Sequence, residues 1–162
     1  MFHVVQDPLP LAMSNTKVIY TSLTKGYDNL LQPEVVRPDY DYICFSNDLG
    51  ESDIGVWKIR KIPFSSSSGT RLTRYPKLNP HLVLPEYEYS VWIDANFKIL
   101  GTAIYEKTDE LIAGGSVCAM IPHENRSCVY QEAKMLTKWL IGEPDLVYRQ
   151  TKFLIQERFP QN

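Results

Sequence analysis

The amino-acid sequence predicts an α/β fold whose sheet is mostly parallel or mixed. Short runs rich in β-branched and aromatic residues alternate along the chain with longer segments of helical periodicity, as βαβ units require. Only residues 56–62 alternate in the way that a half-exposed edge strand does. The chain has 162 residues, of which 44% are hydrophobic, and this is enough for one domain with a substantial core. We therefore expect a single domain over residues 17–162, preceded by a loose N-terminal arm over residues 1–16.

The composition argues against several classes of protein. The formal net charge of −2 gives no general attraction to nucleic acid or to an anionic membrane. The three cysteines, Cys44, Cys118 and Cys128, are odd in number and lack C-x-x-C spacing, which argues against a disulfide framework or a zinc site. The apolar N-terminus has no basic leader, and no run of about eighteen apolar residues occurs. These features predict a cytoplasmic protein with a small partner, no nucleic acid and no membrane span.

The first strand and the loop after it form one candidate binding segment. Residues 17–23, KVIYTSL, are rich in β-branched residues, and the turn TKGYDN follows directly. Ligands of nucleotide-binding α/β folds lie beyond the carboxyl ends of strands. The loop is therefore either a nucleotide-facing segment or an ordinary solvated turn. Residues 40–46, YDYICFS, form the second predicted strand, and residues 56–62 form the edge strand.

A polar hinge, SSSSG, leads into a predicted amphipathic helix with a basic stripe over residues 70–87. Pro76 and Pro80 predict a kink or two short segments in this helix. At 100° per residue the basic side chains fall on one arc and apolar ones on the opposite arc. The basic stripe holds Arg71, Arg74, Lys77 and His81, and the apolar arc holds Leu72, Tyr75, Leu78, Leu82 and Val83. The stripe is either a solvated face or, because it precedes the strand discussed next, a phosphate-binding group.

The stretch from Tyr89 to Leu100, YSVWIDANFKIL, carries the strongest chemical signal. We expect a strand buried on both faces here, and such a strand does not normally end in a carboxylate and a carboxamide. Residues i and i+2 of an extended segment point to the same side, so Asp94 and Asn96 can present their oxygens together to a hard divalent cation that carries a phosphate. The alternative is an Asx turn that caps the strand.

The remainder of the chain predicts a helix from Ala103 to Ala113 that ends at two glycines, and then a buried strand over residues 116–123, SVCAMIPH. Two further helices are predicted over residues 128–141 and 144–159.

Glu132 is an anomaly in the first of these two helices, because its carboxylate falls in the middle of the apolar arc. A carboxylate that faces a core must be paired, hydrogen-bonded or functional. Arg126 is the nearest partner in sequence, so a structural ion pair and a catalytic or ligand-binding role both stay open. His123, which ends the predicted strand, is either bonded to backbone or functional.

Five blocks occur in a fixed order along the chain: KVIYTSLTKGYDNL, YDYICFSND, R-x-x-R-Y-P-K-x-N-P-H, YSVWIDANFKI and H-E-N-R-S-C-V-Y-Q-E-A. Together they resemble the glycosyltransferase-like domain of bacterial capsule-associated proteins and of plant mucilage- and pectin-related proteins, from about Lys17 to Asn162. The resemblance implies a GT-A-like, Rossmann-related domain of three layers. It also implies transfer of a sugar from a nucleotide-diphosphate sugar to a saccharide acceptor, in the synthesis of capsule or cell-surface polysaccharide.

The resemblance further implies roles for individual residues. Asp94 and Asn96 stand in the place of the D-x-D metal motif and would hold Mn²⁺ or Mg²⁺, although the neutral Asn96 weakens the electrostatic hold. His123 and Glu132 are candidates for a catalytic base or for acceptor-binding groups, with Arg126 orienting Glu132. The nucleotide-sugar donor would bind at the end of the first strand, the loop after it and the basic stripe. The residues implied are Thr21, Lys25, Tyr27, Asp28, Arg71, Arg74, Lys77 and His81.

Members of this family usually continue beyond a segment such as ERFPQN, so we expect that the chain lacks the C-terminal block of the domain. Phe153, Leu154 and Phe159 would then be uncovered, which favours a homodimer through the C-terminal helix. Two other functions stay open. A non-catalytic module that binds a nucleotide sugar or a glycan is favoured by the shortened end and by Asn96. A nucleotidyltransferase is less favoured, because TSLTKGYD has a single glycine where a phosphate loop carries several.

Overall fold

The computed structural model describes residues 15–24, 26, 29–50 and 52–160. Most of the predicted N-terminal arm therefore lies outside the described residues. The chain divides into two compact units, Met1–Gly115 and Ser116–Asn162. Within the described ranges, no helix has both the length and the apolar character that crossing a membrane requires.

The first unit is built on a four-stranded sheet in which every pair of neighbours is parallel. The strands lie in the order β3-β2-β1-β4 and are β1 (Lys17–Ser22), β2 (Tyr40–Phe45), β3 (Lys58–Arg60) and β4 (Tyr89–Trp92). The helices of this unit are α1 (Gly69–Leu78), α2 (Pro80–Val83) and α3 (Ala103–Ala113). The parallel sheet with its helices confirms the predicted α/β class.

Two hydrophobic clusters cover the two faces of the sheet. Successive side chains of a strand point to opposite faces, so the adjacent residues Val18 and Ile19 of β1 enter different clusters. Ile19 packs in the cluster that contains Tyr105 of α3, and Val18 packs in the cluster that contains Leu72 of α1 and Val83 of α2. The helices thus lie on both faces and the unit has three layers.

The first two strands form the centre of the sheet, as their composition predicts. β1 pairs with β2 on one side and with β4 on the other, and all of its residues except Lys17 are buried. In β2 only Asp41 is not buried. β3 lies at the edge, as the alternation of residues 56–62 predicts, with Ile59 buried and Lys58 exposed.

The basic segment forms two short helices, as its prolines predict, because α1 ends at Leu78 and α2 begins at Pro80. The predicted apolar arc is only partly correct. Leu72 is buried, but Leu78 and Leu82 are exposed. The helical wheel assumes one continuous helix, so it does not apply across the break at Asn79.

The prediction that residues 89–100 form a strand buried on both faces is wrong. β4 has four residues, none of them buried, and within the described sheet it pairs with β1 alone. Its Trp92 ring packs on one face of the sheet, where it meets the Tyr20 ring edge-on with centroids 5.2 Å apart. The sequence run is apolar enough for a central strand, but the position at the edge leaves it half-covered.

The second unit contains the helices α4 (Val129–Lys138) and α5 (Pro144–Gln156), close to the predicted positions. The predicted strand at residues 116–123 is wrong, because this segment has no strand and Val117 and Ile121 are exposed. A strand needs a neighbour for its backbone hydrogen bonds, and the described part of this unit contains no strand that could pair with this segment.

Candidate functional site

A cleft of about 510 Å³ opens at the carboxyl end of the sheet. The strand order runs from β1 through β2 to β3 on one side and reverses to β4 on the other. At such a reversal, ligands of open α/β sheets bind in the crevice beyond the carboxyl ends of the strands. The cleft lies between the end of β1, the first turns of α1 and the turn after β4, and it is lined by Ser22, Leu23, Thr24, Gly69, Thr70, Thr73, Arg74, Lys77, Trp92, Asp94, Ala95, Asn96 and Phe97.

Buried polar residues connect the end of β1 to its neighbours. Ser22 Oγ donates to the Phe45 carbonyl oxygen of β2 at 3.1 Å. Thr24 is buried, and its Oγ1 donates to the Gly69 carbonyl oxygen at 3.5 Å. This contact holds the first residue of α1 beside the end of β1, so the amino end of α1 faces the cleft.

Helix α1 begins at a capped terminus and presents two cations to the cleft. The side chain of Ser68 accepts a hydrogen bond from the Arg71 amide at 3.4 Å, which satisfies one of the free N–H groups of the first turn. Arg74 and Lys77 are three residues apart, so they lie on the same side of the helix, and both line the cleft.

The carboxylate of Asp94 is held by two donors on the same oxygen. Lys77 Nζ donates to Asp94 Oδ1 at 3.1 Å, and Trp92 Nε1 donates to the same atom at 2.8 Å. Lys77 Nζ also lies 5.2 Å from the centroid of the Trp92 ring, in cation–π range. Lys77, Trp92 and Asp94 thus form one connected group on the wall of the cleft.

Asp94 is ionised over the ordinary pH range. Partial burial opposes the charge, but the hydrogen bonds from Trp92 and Lys77 and the positive charges of Lys77 and Arg74 outweigh it, and they hold the pKa of Asp94 below its usual value. The Phe97 amide donates to the Asp94 carbonyl oxygen at 2.9 Å, so residues 94–97 form a turn. Asn96 lies within this turn and also lines the cleft.

The groups at this turn do not fit a divalent cation well. Asp94 Oδ1 already accepts from Lys77 and Trp92, and Asn96 brings no charge. Among the described residues there is no group of three or more His, Cys, Asp or Glu side chains that could hold a metal ion. The metal site at Asp94 and Asn96 stays a prediction.

The cleft brings together four of the residues that the sequence singles out: Arg74, Lys77, Asp94 and Asn96. Thr21 is buried, and its hydroxyl has no hydrogen-bond partner among the described residues. Arg71 and His81 are exposed and are not part of the lining. Donor contacts are also predicted for Lys25, Tyr27 and Asp28 in the loop after β1, and these three residues lie outside the described ones.

The predicted catalytic residues lie together in the second unit. Arg126 Nε is 2.5 Å from Glu132 Oε2, so the predicted ion pair is present, and the other end of the guanidinium contacts His123 Nε2. The Asn125 amide donates to His123 Nδ1 at 3.1 Å, which matches the backbone-bonded alternative. The prediction that Glu132 faces a core is wrong, because no residue of α4 is buried and the side chain is 42% exposed. The catalytic roles of the three residues stay predictions.

Sequence reasoning missed the part of the cleft that α1 and the aromatic residues build. Ser68 before Gly69-Thr70 is the pattern of a capped helix start, and recognising it would have identified the first turn of α1 as a helix terminus instead of a hinge. Phe97 lines the cleft and is exposed, and no local pattern distinguishes it from the other aromatic residues of its run.

A family model described as TOD1/MUCI70, glycosyltransferase-like domain, matches residues 44–159. The matched segment includes α1, the turn after β4, and His123, Arg126 and Glu132 of the second unit. No curated protein and no solved structure matches the chain.

Proposed function

The chain belongs to the TOD1/MUCI70 glycosyltransferase-like domain family, and from this membership we propose that it transfers a sugar from a nucleotide-diphosphate sugar to a saccharide acceptor. The cleft at the reversal of strand order is the single observation that carries the proposal. There the amino end of α1, two cations and the turn with Asp94 and Asn96 lie together. Such a set of groups suits a ligand that carries phosphates.

The donor diphosphate binds against α1. Arg74 offers a planar fork of N–H donors that matches phosphate oxygens, and Lys77 offers a compact positive charge. The first turn of α1, at Gly69 and Thr70, adds backbone N–H groups and the positive end of the helix dipole. Both kinds of group face the same cleft, so they can act on adjacent phosphates.

Transfer breaks the bond between the anomeric carbon and the diphosphate oxygen, and it forms a bond from that carbon to the acceptor oxygen. The bonding electron pair leaves with the nucleoside diphosphate, so negative charge grows on the leaving group. Arg74 and Lys77 stabilise this charge as it develops. The acceptor hydroxyl loses its proton to a base as the new bond forms.

A binding module without turnover is a second candidate, and one observation favours it. Asp94 is the one carboxylate among the described residues of the lining, and it is hydrogen-bonded to Lys77. The described lining of the cleft therefore has groups that bind a donor but no free base.

The test of donor binding compares two arginines of the same helix. UDP-, GDP- and dTDP-sugars are screened by thermal shift, with a CMP-sugar as the single-phosphate comparison, since a ligand of the native state raises the melting temperature. We expect at least one diphosphate donor to stabilise the chain. Arg74→Met should weaken its binding by about tenfold or more, because a charge-assisted hydrogen bond is lost. Arg71→Met, which removes an exposed charge outside the cleft, should change it little.

Acceptor-dependent release of nucleotide from the stabilising donor, measured with pooled glycan acceptors, separates enzyme from binding module. Release that requires the acceptor supports transfer, and tight binding without release supports the module. If no donor stabilises the chain, both the transferase and the binding module are contradicted. If Arg74→Met and Arg71→Met lose the same donor affinity, binding depends only on net charge.

A further inference from the structure

The carboxylate expected to bind a metal already has a cation of the protein beside it. Lys77 Nζ donates to Asp94 Oδ1 at 3.1 Å, and Trp92 Nε1 donates to the same oxygen at 2.8 Å. A metal ion at Asp94 would have to displace the ammonium from this oxygen or bind right next to it. The positive charge that a diphosphate requires is thus supplied by the chain.

The position of this ammonium is set by a side chain anchored in the core. Lys77 Nζ lies 5.2 Å from the centroid of the Trp92 ring, and that ring packs edge-on against Tyr20 with centroids 5.2 Å apart. Tyr20 is buried in the sheet. The indole therefore connects the mobile end of a lysine to a rigid strand, and the ammonium is pre-organised without a ligand.

The balance of charge in the cleft disfavours a divalent cation. Arg74 and Lys77 face one carboxylate, Asp94, among the described residues of the lining, so the net charge of these three groups is positive. A divalent cation would be repelled by both basic side chains at short range, and Asn96 would add a neutral ligand only. A diphosphate anion is attracted to the same arrangement.

We propose that Lys77, held in place by Asp94, acts with Arg74 to neutralise the donor diphosphate without a divalent metal ion. In this arrangement Asp94 is a positioning residue for Lys77. The inference rests on the proposed function, because it requires that the cleft binds nucleoside diphosphates.

The first test measures the binding of UDP, GDP, ADP and dTDP by calorimetry, in excess EDTA and in excess MnCl₂ or MgCl₂. We expect at least one of them to bind in EDTA with an affinity within about threefold of that with metal. Binding that appears only with metal would overturn the inference and leave the proposed function standing. If none of the four binds in either buffer, both are overturned.

Substitution of the lysine tests which group supplies the charge. In EDTA, Lys77→Met should weaken binding of the same nucleotide by about tenfold or more, because a hydrogen bond to a charged group is lost. Lys77→Arg should restore most of the affinity. The matched control is Lys107→Met, which removes another lysine that pairs with a carboxylate, here Glu110 on α3. If Lys77→Met binds as the unchanged chain does, or if the control loses as much, the inference fails.

Substitution of the aspartate distinguishes a positioning residue from a metal ligand. Asp94→Asn keeps an oxygen that can accept from Lys77 and Trp92, and it removes a negative charge that repels phosphate. Affinity in EDTA should therefore stay within about threefold of the unchanged chain or become tighter. A metal site would instead lose its metal-stimulated binding, and a loss of about tenfold or more in either buffer would overturn the inference. Melting of the free variants shows that each one is folded.

Discussion

The side chain of Glu132 lies beside Arg126, the partner that its sequence neighbourhood predicts, with Arg126 Nε 2.5 Å from Glu132 Oε2. On a helical wheel this carboxylate falls among apolar side chains, but no residue of α4 is buried. The Arg126 side chain is 25% exposed and the Glu132 side chain is 42% exposed. Water therefore screens the ion pair. Removing the pair should lower the folding stability less than removing a buried ion pair would.

Glu132→Gln should lower the free energy of unfolding by about 1 kcal/mol or less, since half-exposed ion pairs contribute little. Urea denaturation of the variant and of the unchanged chain measures the difference. Glu110→Gln serves as the control, because it disrupts an exposed i, i+3 pair on α3. A loss of several kcal/mol for Glu132→Gln alone would indicate that Arg126 is left stranded in a buried environment.

Helix α3 is attached to the amino ends of the strands by a network of two acids and two bases. Asp109 of α3 accepts from Lys17 Nζ at 3.0 Å and from Arg37 Nη1 at 2.6 Å. Asp39 accepts from the same two bases at 2.6 and 2.7 Å, and the Tyr40 hydroxyl also donates to Asp109. The network lies at the opposite end of β1 from the cleft, so it stabilises the layer without entering the site.

Both carboxyl groups of this network titrate below their usual range. Burial raises the pKa of Asp39, but the hydrogen bonds from Arg37 and Lys17 dominate and lower it to about 2. The hydrogen bonds from Lys17 and Arg37 also hold the pKa of Asp109 below its usual value. A folded-state pKa below the unfolded value of about 4 means that the stabilisation is present above pH 4 and is lost as the pH falls towards 2.

Asp109→Asn should therefore destabilise the chain by about 1 to 2 kcal/mol at neutral pH, because charge-assisted hydrogen bonds to two bases are weakened. Urea denaturation at a series of pH values measures the effect. The difference between the variant and the unchanged chain should shrink as the pH falls below about 4. A difference that stays constant down to low pH would show that the charge of Asp109 has no part in the stability.

The second unit exposes large apolar side chains on α5 and after it. Tyr148, Phe153 and Phe159 are each more than half exposed, and Leu146, Phe153 and Leu154 line a shallow groove of about 410 Å³ on this helix. Exposed apolar patches of this kind promote association. The predicted homodimer through the C-terminal helix thus has a surface that could form it, and the dimer itself stays a prediction.

We expect the chain to elute as a dimer in size-exclusion chromatography with light scattering, with dissociation on dilution. Phe153→Glu should shift the equilibrium to the monomer, because a charge in an apolar interface is costly to desolvate. Gln156→Glu, which adds the same charge near the end of α5, should have a smaller effect. A monomer at every concentration would contradict this prediction.

What the sequence determined by itself about this protein is local. The alternation of β-branched and aromatic residues predicted β1, β2 and the edge strand β3, and the prolines predicted the division of the basic segment into α1 and α2. These features depend on side-chain alternation and on the missing N–H of proline, which act within a few residues. The i, i+3 spacing likewise placed Arg74 and Lys77 on one side of the helix before any fold was known. The ordered blocks also led to the family that the chain belongs to.

The tertiary structure alone decided which distant segments meet. It placed β4 at the edge, although its composition suits a central strand, and it left residues 116–123 without the partner that a strand requires. It also placed Lys77 next to Asp94, seventeen residues away. The carboxylate expected to bind a metal therefore accepts a hydrogen bond from a lysine. Strand order and register set these contacts, because they arise from the packing of whole layers and not from the periodicity of any one segment.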